Sequence, residues 1–104
     1  MDGAYVYLLR CSDGSYYCGS TRKELETRVS EHQNGHFPTC YTFRRRPGDL
    51  VWAEHFAIIV DAIAVERQVK GWSRAKKQAL IRGDWGEIRR LARGPESRRG
   101  DPLR

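Results

Sequence analysis

The stretch SYYCGSTRKELETRVSEH, residues 15–32, places two adjacent tyrosines and a glycine ahead of Arg28 and His32, which stand four residues apart. Nothing in a small soluble core demands that combination. An arginine fork offers paired N–H donors that match a phosphate or a carboxylate. Histidine changes charge close to neutral pH. A tyrosine hydroxyl, with an ordinary pKa of about 10, is a poor base unless nearby positive charge lowers it. Brought together, Tyr17, Arg28 and His32 could bind an anionic group and move a proton beside it. Kept apart, they are a hairpin edge and a surface helix.

The elements that carry them are legible. AYVYLLRC and SYYCGS are aromatic, β-prone runs separated by SDG, which predicts a hairpin with strands over residues 4–11 and 15–20. Thr21 with Glu24 three residues later reads as a capping box opening a helix. Leu25 and Val29 give that helix its apolar contact, and Asn34-Gly35 a stop. Arg28 and His32 lie one turn apart on it, beside the apolar stripe. GHFPTCYTFRRRPGD reads as a loop, and LVWAEHFA as a third strand. Asp61 is the expected cap of AIAVERQVKGW, in which Ala62, Val65, Val69 and Trp72 recur at helical spacing and Gly71 breaks or ends the helix. Ser73 caps RAKKQALIR, Gly83 stops it, and Asp84 with Glu87 forms a second capping box for WGEIRRLAR. The order ββαβαα with a short last helix predicts an α+β fold, a small three-stranded antiparallel sheet flanked by helices. No internal repeat is visible. The expected organisation is one domain over residues 1–93 and a disordered tail over 94–104, where apolar side chains almost vanish.

The whole chain narrows the function classes. Its 104 residues suffice for one modest core, and 39% apolar with 31% charged residues suits a soluble globular protein. No apolar run approaches the roughly 18 residues of a membrane span. MDGAYVYLLRC lacks a basic leader region, so a cytoplasmic protein without membrane association is expected. Cys11, Cys18 and Cys40 are odd in number and fit no zinc spacing, so free thiols are expected, with Cys18 at a half-exposed strand position open to oxidation. The net charge is +6, and its excess lies in the second half of the chain. Two basic clusters stand out: Arg44, Arg45 and Arg46, then Arg67, Lys70, Arg74, Lys76, Lys77 and Arg82. Such surface favours a polyanion, most often nucleic acid, over the bland alternative of a solvated basic face.

With hairpin and helix placed, the chain resembles the GIY-YIG domain, in particular its small bacterial stand-alone members. Tyr5-Val6-Tyr7 is similar to the first half-motif and Tyr17-Cys18-Gly19 to the second, with Arg28 and His32 following at the family's spacing. YTFRRRP, LVWAEHF and VERQVKGWSRAKKQALI extend the resemblance in order through residue 93. Two positions depart from the motif: Tyr5 replaces the first glycine, and Cys18 stands in the middle of the second triplet.

The resemblance implies an endonuclease that hydrolyses DNA phosphodiester bonds with one divalent cation, Mg²⁺ or Mn²⁺. It implies structure-selective or weakly specific cleavage of the kind used in DNA repair or recombination. On that basis Tyr17 takes or orients the proton of the attacking water, with Tyr7 in support. Arg28 binds the scissile phosphate, His32 contacts the site, and Glu66 holds the metal. Arg44, Arg45, Arg46, Lys70, Arg74, Lys76 and Lys77 are the expected nucleic-acid contacts. No second domain for specificity is evident, which leaves it to the basic surface or to a protein partner. Each residue also has an ordinary explanation: cross-strand aromatics for the tyrosines, an i,i+4 pair with Lys70 for Glu66, a surface histidine near a helix end for His32. Two other functions stay open on these grounds, a non-catalytic nucleic-acid-binding module of the same fold and an RNA-binding or translation-associated protein. Metal-dependent nicking separates them from the nuclease.

Overall fold

A computed structural model of the chain describes residues 3–92. The elements are β1 (Ala4–Arg10), β2 (Tyr16–Thr21), α1 (Leu25–Gln33), a 3₁₀ turn (Phe43–Arg45), β3 (Asp49–Phe56), α2 (Ile59–Lys70), α3 (Arg74–Arg82) and α4 (Trp85–Ala92). The expected α+β order and the three-stranded antiparallel sheet are both present. The tail expected over 94–104 lies outside the described residues.

Two compact units divide the chain near Lys70. In the first, the strand order is β2-β1-β3, so β1 is central. That explains its near-continuous apolar sequence: Val6, Tyr7, Leu8 and Leu9 are all buried, because both faces of a central strand are covered. Val6 stands opposite Ser20, and Leu8 opposite Cys18. Residues directly opposed across a ladder point to one face. On this face α2 packs, burying Ala62 and Val69 and bringing its Glu66 carbonyl within 3.8 Å of the Cys18 sulfur. Cys18 is therefore buried, with all three cysteines free, and the half-exposed position expected for it is corrected. Its side chain takes the α2 face because strand residues alternate.

The opposite face carries Tyr7, Leu9, Tyr17 and Gly19, and receives α1 with the loop over residues 34–48. A bulge between Leu8 and Leu9 shifts the pairing with β3, so that Leu8 meets Trp52 and Leu9 meets Leu50. Gln33 at the end of α1 clasps Gly48, donating from Nε2 to its carbonyl at 2.6 Å and accepting its N–H at 3.1 Å. The loop is also tied to the hairpin turn. Ser12 N–H donates to the Arg45 carbonyl at 2.8 Å, and Arg45 Nε to Asp13 Oδ2 at 3.0 Å.

Two caps differ from expectation. Thr21 ends β2, and its hydroxyl accepts the Lys23 N–H at 3.0 Å instead of capping α1, which begins after Glu24 without a side-chain cap. Asp61 lies inside the first turn of α2, where its charge complements the helix dipole, because that helix starts two residues earlier. Asn34 and Gly35, at φ +72°, stop α1 as expected.

The second unit is a pair of helices. The Ser73 hydroxyl accepts the Lys76 N–H, Gly83 ends α3 in the left-handed region at φ +71°, and Asp84 Oδ1 accepts the Glu87 N–H at 3.0 Å. Only half of the second capping box forms: Glu87 turns its carboxylate to Arg90 one turn on. Ala79, Leu80, Ile88 and Ala92 form the buried stripes of α3 and α4, which pack on one another.

Candidate active site

Tyr7 stands at the middle of β1, directly opposite Gly19. A Cβ on Gly19 would lie 2.6 Å from the Tyr7 hydroxyl oxygen and 2.9 Å from the Tyr17 ring. Glycine is required there by close approach, not by its backbone angles. The Tyr7 ring lies across the space this leaves. Tyr17 faces Leu9, one diagonal step away on the same face, with the two ring centroids 6.4 Å apart.

His32 comes down on this pair from the last turn of α1. It is the buried residue of that helix, 3% exposed, and not the surface histidine of the ordinary explanation. Its Nε2 is 2.9 Å from the Tyr7 hydroxyl, and its Nδ1 is 2.9 Å from the Thr42 hydroxyl. Thr42 in turn donates to the Cys40 sulfur at 3.4 Å. The loop walls the group in. Phe37 lies 5.0 Å from the imidazole, and Tyr41 stacks on Tyr17 at 6.5 Å with planes 15° apart. Arg45 covers Tyr41 at 3.8 Å, and the Arg28 guanidinium sits over Phe37 at 5.2 Å.

Burial dominates the electrostatics. It pushes the Tyr7 hydroxyl up to about 12, with the Arg28 guanidinium pulling the other way. Burial raises Tyr17 as well, and its hydrogen bond to Cys40 adds to the rise. His32 is held below the ordinary imidazole value, first by burial and then by the Arg28 charge, with Glu31 opposing. The neutral site therefore pairs protonated tyrosines with an uncharged imidazole that can accept. Burial would raise the Cys40 thiol, but hydrogen bonds from the Thr42 hydroxyl and N–H, the Tyr17 hydroxyl and the Tyr41 N–H bring it below a free thiol.

Arg28 is half-buried, and its Nε lies 3.3 Å from Glu31 Oε1. Neither atom has a hydrogen bond of acceptable direction, so they attract as charges while donor and acceptor capacity is left over. Lys23 takes the other Glu31 oxygen at 2.8 Å.

Glu66 approaches from α2, across the edge strand β2. Its Oε1 accepts the Ser20 hydroxyl at 2.8 Å, and its Oε2 pairs with Lys70 Nζ at 3.0 Å. Ser20 points to the face away from the tyrosines, yet the Glu66 charge still raises both of their hydroxyls. Among the described residues no group of three His, Cys, Asp or Glu side chains converges on one point. One carboxylate with a hydroxyl beside it does not fit a zinc cage, but it fits a hard cation that keeps most of its water.

The five residues expected for chemistry thus divide. Tyr7, Tyr17, Arg28 and His32 converge on one face, and Glu66 reaches the same edge from the other. The basic residues divide too. Arg44 is exposed, but Arg45 is engaged by Asp13 and Tyr41, Arg46 donates to the Phe43 carbonyl at 2.9 Å, and Lys70 is paired with Glu66. In the second unit Arg74 is exposed and Lys77 half-exposed. Lys76 differs from the expected surface contact: it is 7% exposed, with its ammonium 5.7 Å from the Trp72 ring. It lies on the buried stripe of α3 together with Ala79 and Leu80. Sequence reasoning gave no site role to Phe37, Cys40, Tyr41 or Thr42. They sit in a stretch without periodicity, where Cys40 was expected only as a free thiol and Tyr41 and Thr42 only as part of YTFRRRP.

Comparison with known proteins places the chain in a family. The family described as the GIY-YIG catalytic domain matches residues 3–79. A UPF0213 protein of Staphylococcus saprophyticus is 42% identical over 81 residues, covering 78% of this chain and 96% of that protein. One from Staphylococcus aureus is 39% identical over 82 residues, covering 79% and 98%. The solution NMR structure of a UPF0213 protein from Bacillus halodurans is 34% identical and covers 94% of each chain with a TM-score of 0.50. Among the described residues, no helix is long and apolar enough to cross a membrane. Matched by that family over residues 3–79 and by these small bacterial proteins over nearly their whole length, this chain belongs to the GIY-YIG family of nucleases.

Proposed function

We propose that the chain is a metal-dependent endonuclease that hydrolyses DNA phosphodiester bonds, choosing by DNA structure or with weak sequence preference. Cleavage of that kind suits repair or recombination. The observation that carries this reading is the buried Tyr7–His32 hydrogen bond, set beside the Arg28 guanidinium whose charge and hydrogen bond act on the same Tyr7 hydroxyl.

The residues divide the work as follows. Arg28, whose guanidinium is half-buried beside the Tyr7 hydroxyl, meets a non-bridging phosphate oxygen through its charge and its N–H fork. Tyr7 receives a proton from the attacking water while passing its own to His32, which burial keeps neutral. A tyrosinate need not form, which matters because burial disfavours one. This assigns the proton transfer to Tyr7 and gives Tyr17, whose hydroxyl is turned to Cys40, the task of orienting the water. Glu66 would hold a hydrated Mg²⁺ or Mn²⁺, which supplies charge neutralisation at the leaving oxygen when bound. Arg44 in the first unit, and Arg74 and Lys77 in the second, are candidates for contacts to the rest of the backbone because they are exposed or half-exposed. A protein partner that adds specificity fits a domain whose contacts are mainly to phosphate.

Nicking of branched or flapped DNA, titrated with Mg²⁺, tests the reading. Tyr7→Phe should lose roughly 100-fold in rate at every Mg²⁺ concentration, and Tyr17→Phe less. Glu66→Gln should lose cleavage at low Mg²⁺ and regain part of it at high Mg²⁺. Unchanged cleavage by Tyr7→Phe would refute the assignment. DNA binding without cleavage in the wild type would leave a nucleic-acid-binding module instead.

A further inference from the structure

We infer that Thr42 is a positioning residue for this reaction, holding His32 as its Nδ1–H tautomer so that Nε2 is free to take the Tyr7 proton. The inference draws its purpose from the proposed cleavage, while the tautomer itself is a separate observable.

The direction of the chain follows from counting protons. Donors crowd the Cys40 sulfur: the Thr42 hydroxyl at 3.4 Å, the Tyr17 hydroxyl, and the backbone N–H groups of Tyr41 and Thr42. A threonine hydroxyl has one proton, and that proton is spent on sulfur. At 2.9 Å the Thr42 oxygen must then meet His32 Nδ1 as an acceptor, so Nδ1 carries hydrogen. A neutral imidazole has only one N–H. Nε2 is left bare, and the Tyr7 hydroxyl 2.9 Å away donates to it. Thr42 and His32 are 2% and 3% exposed, so water offers little alternative to this pairing.

The polarity matters to the chemistry. With the opposite tautomer, Nε2–H would donate to the Tyr7 oxygen, and His32 could take no proton from it. With Nδ1–H, an O–H bond of water breaks and its proton joins the Tyr7 oxygen. The Tyr7 proton leaves for Nε2, and the resulting imidazolium donates from Nδ1 to Thr42 and from Nε2 to Tyr7. The extra proton returns to solvent with the product. Among the described residues the titratable groups that act on His32 are Tyr7 and Tyr17 from the sheet and Arg28 and Glu31 from α1, with Cys40 of the loop reached through Thr42. Among the described residues Thr42 supplies the hydroxyl that contacts Nδ1. At the head of the 3₁₀ turn, with its carbonyl accepting the Arg45 N–H at 3.0 Å, it is held by the backbone as well.

Long-range ¹H–¹⁵N correlation spectra of ¹⁵N-histidine protein at roughly pH 8, well above the ordinary imidazole pKa, read the tautomer directly. His32 is distinguished from the exposed His36 and His55 by His36→Gln and His55→Gln. Wild type should show His32 as Nδ1–H, Thr42→Ser should keep it, and Thr42→Val should shift it toward Nε2–H. Cleavage should follow: about 10- to 100-fold lower kcat with little change in KM for Thr42→Val, and within about threefold of wild type for Thr42→Ser. An Nε2–H wild type, a Thr42→Val protein that keeps Nδ1–H, or one that cleaves at the wild-type rate would overturn the inference. If Thr42→Val does not fold, the wild-type and Thr42→Ser spectra decide. A wild type that cleaves no DNA defeats the nuclease assignment, and the spectra still settle the role of Thr42.

Discussion

Gly19→Ala adds a single methyl group at the centre of the site. That methyl would stand 2.6 Å from the Tyr7 hydroxyl oxygen, 2.8 Å from its Cζ and 2.9 Å from Tyr17 Cε2. Ordinary carbon contacts are about 3.5–4.0 Å, so the end of the Tyr7 ring must move by roughly 1 Å. Tyr7 is 1% exposed and cannot swing into solvent. Moving it stretches the 2.9 Å bond to His32 Nε2 beyond hydrogen-bonding distance and leaves a buried acceptor unpaired. Overpacking of this kind costs about 1–3 kcal/mol, and the orphaned acceptor about 1–3 kcal/mol more, partly overlapping with it. A net loss of about 2–4 kcal/mol is expected. Urea denaturation measures it, with Gly86→Ala as the control: that helical glycine meets nothing nearer than Asp84 Oδ1 at 3.6 Å. The control should gain up to about 1 kcal/mol from helix propensity. Nicking by whatever Gly19→Ala protein remains folded should fall about 100-fold, since a shift near 1 Å at the reacting group costs that much. A Gly19→Ala protein as stable and as active as wild type would refute the close-packed arrangement of Tyr7 on β2.

Two further outcomes are open to simple measurement. Because His32 has its pKa lowered by folding, the unfolded chain takes up that proton first as pH falls. Its contribution to stability is complete above about pH 6.5 and is lost progressively below it, ahead of the carboxylates Asp13, Glu31 and Glu87, whose lowered pKa values place their loss below roughly pH 4.5. The melting temperature should therefore decline between about pH 6.5 and 5, and a flat profile there would contradict a buried neutral His32. For DNA binding, six phosphate contacts would make log K fall with log salt at a slope near −5. Lys77→Met should lower that slope by about 1 while Lys76→Met leaves it unchanged, because the Lys76 ammonium lies against Trp72. Equal effects of the two substitutions would show that Lys76 reaches the phosphate after all.

Local sequence was enough for the elements. The hairpin signal, the stop at Asn34-Gly35, the Ser73 cap and the Gly83 stop all act over a few residues, and each is found where its chemistry requires. So was the pairing of Arg28 and His32 on one side of α1, since helical geometry alone puts residues four apart together. Where two local signals competed, context chose. Thr21 had both β-propensity and a capping hydroxyl, and pairing with Tyr5 on the central strand kept it in the sheet.

Burial and polarity were settled only by tertiary structure. His32 could have been a solvated helix-end cation; three rings and the Thr42 hydroxyl closing over it make it a neutral acceptor. Lys76 looked like one more basic contact, yet the helical phase that buries Ala79 and Leu80 buries it too. Thr42 and Cys40 lay in a stretch with no period to read, and a loop's side chains acquire a role only when the chain folds them onto a surface. The order of the candidate site residues is written in the chain, but the hydrogen bonds that could link them depend on contacts between residues as far as 25 positions apart.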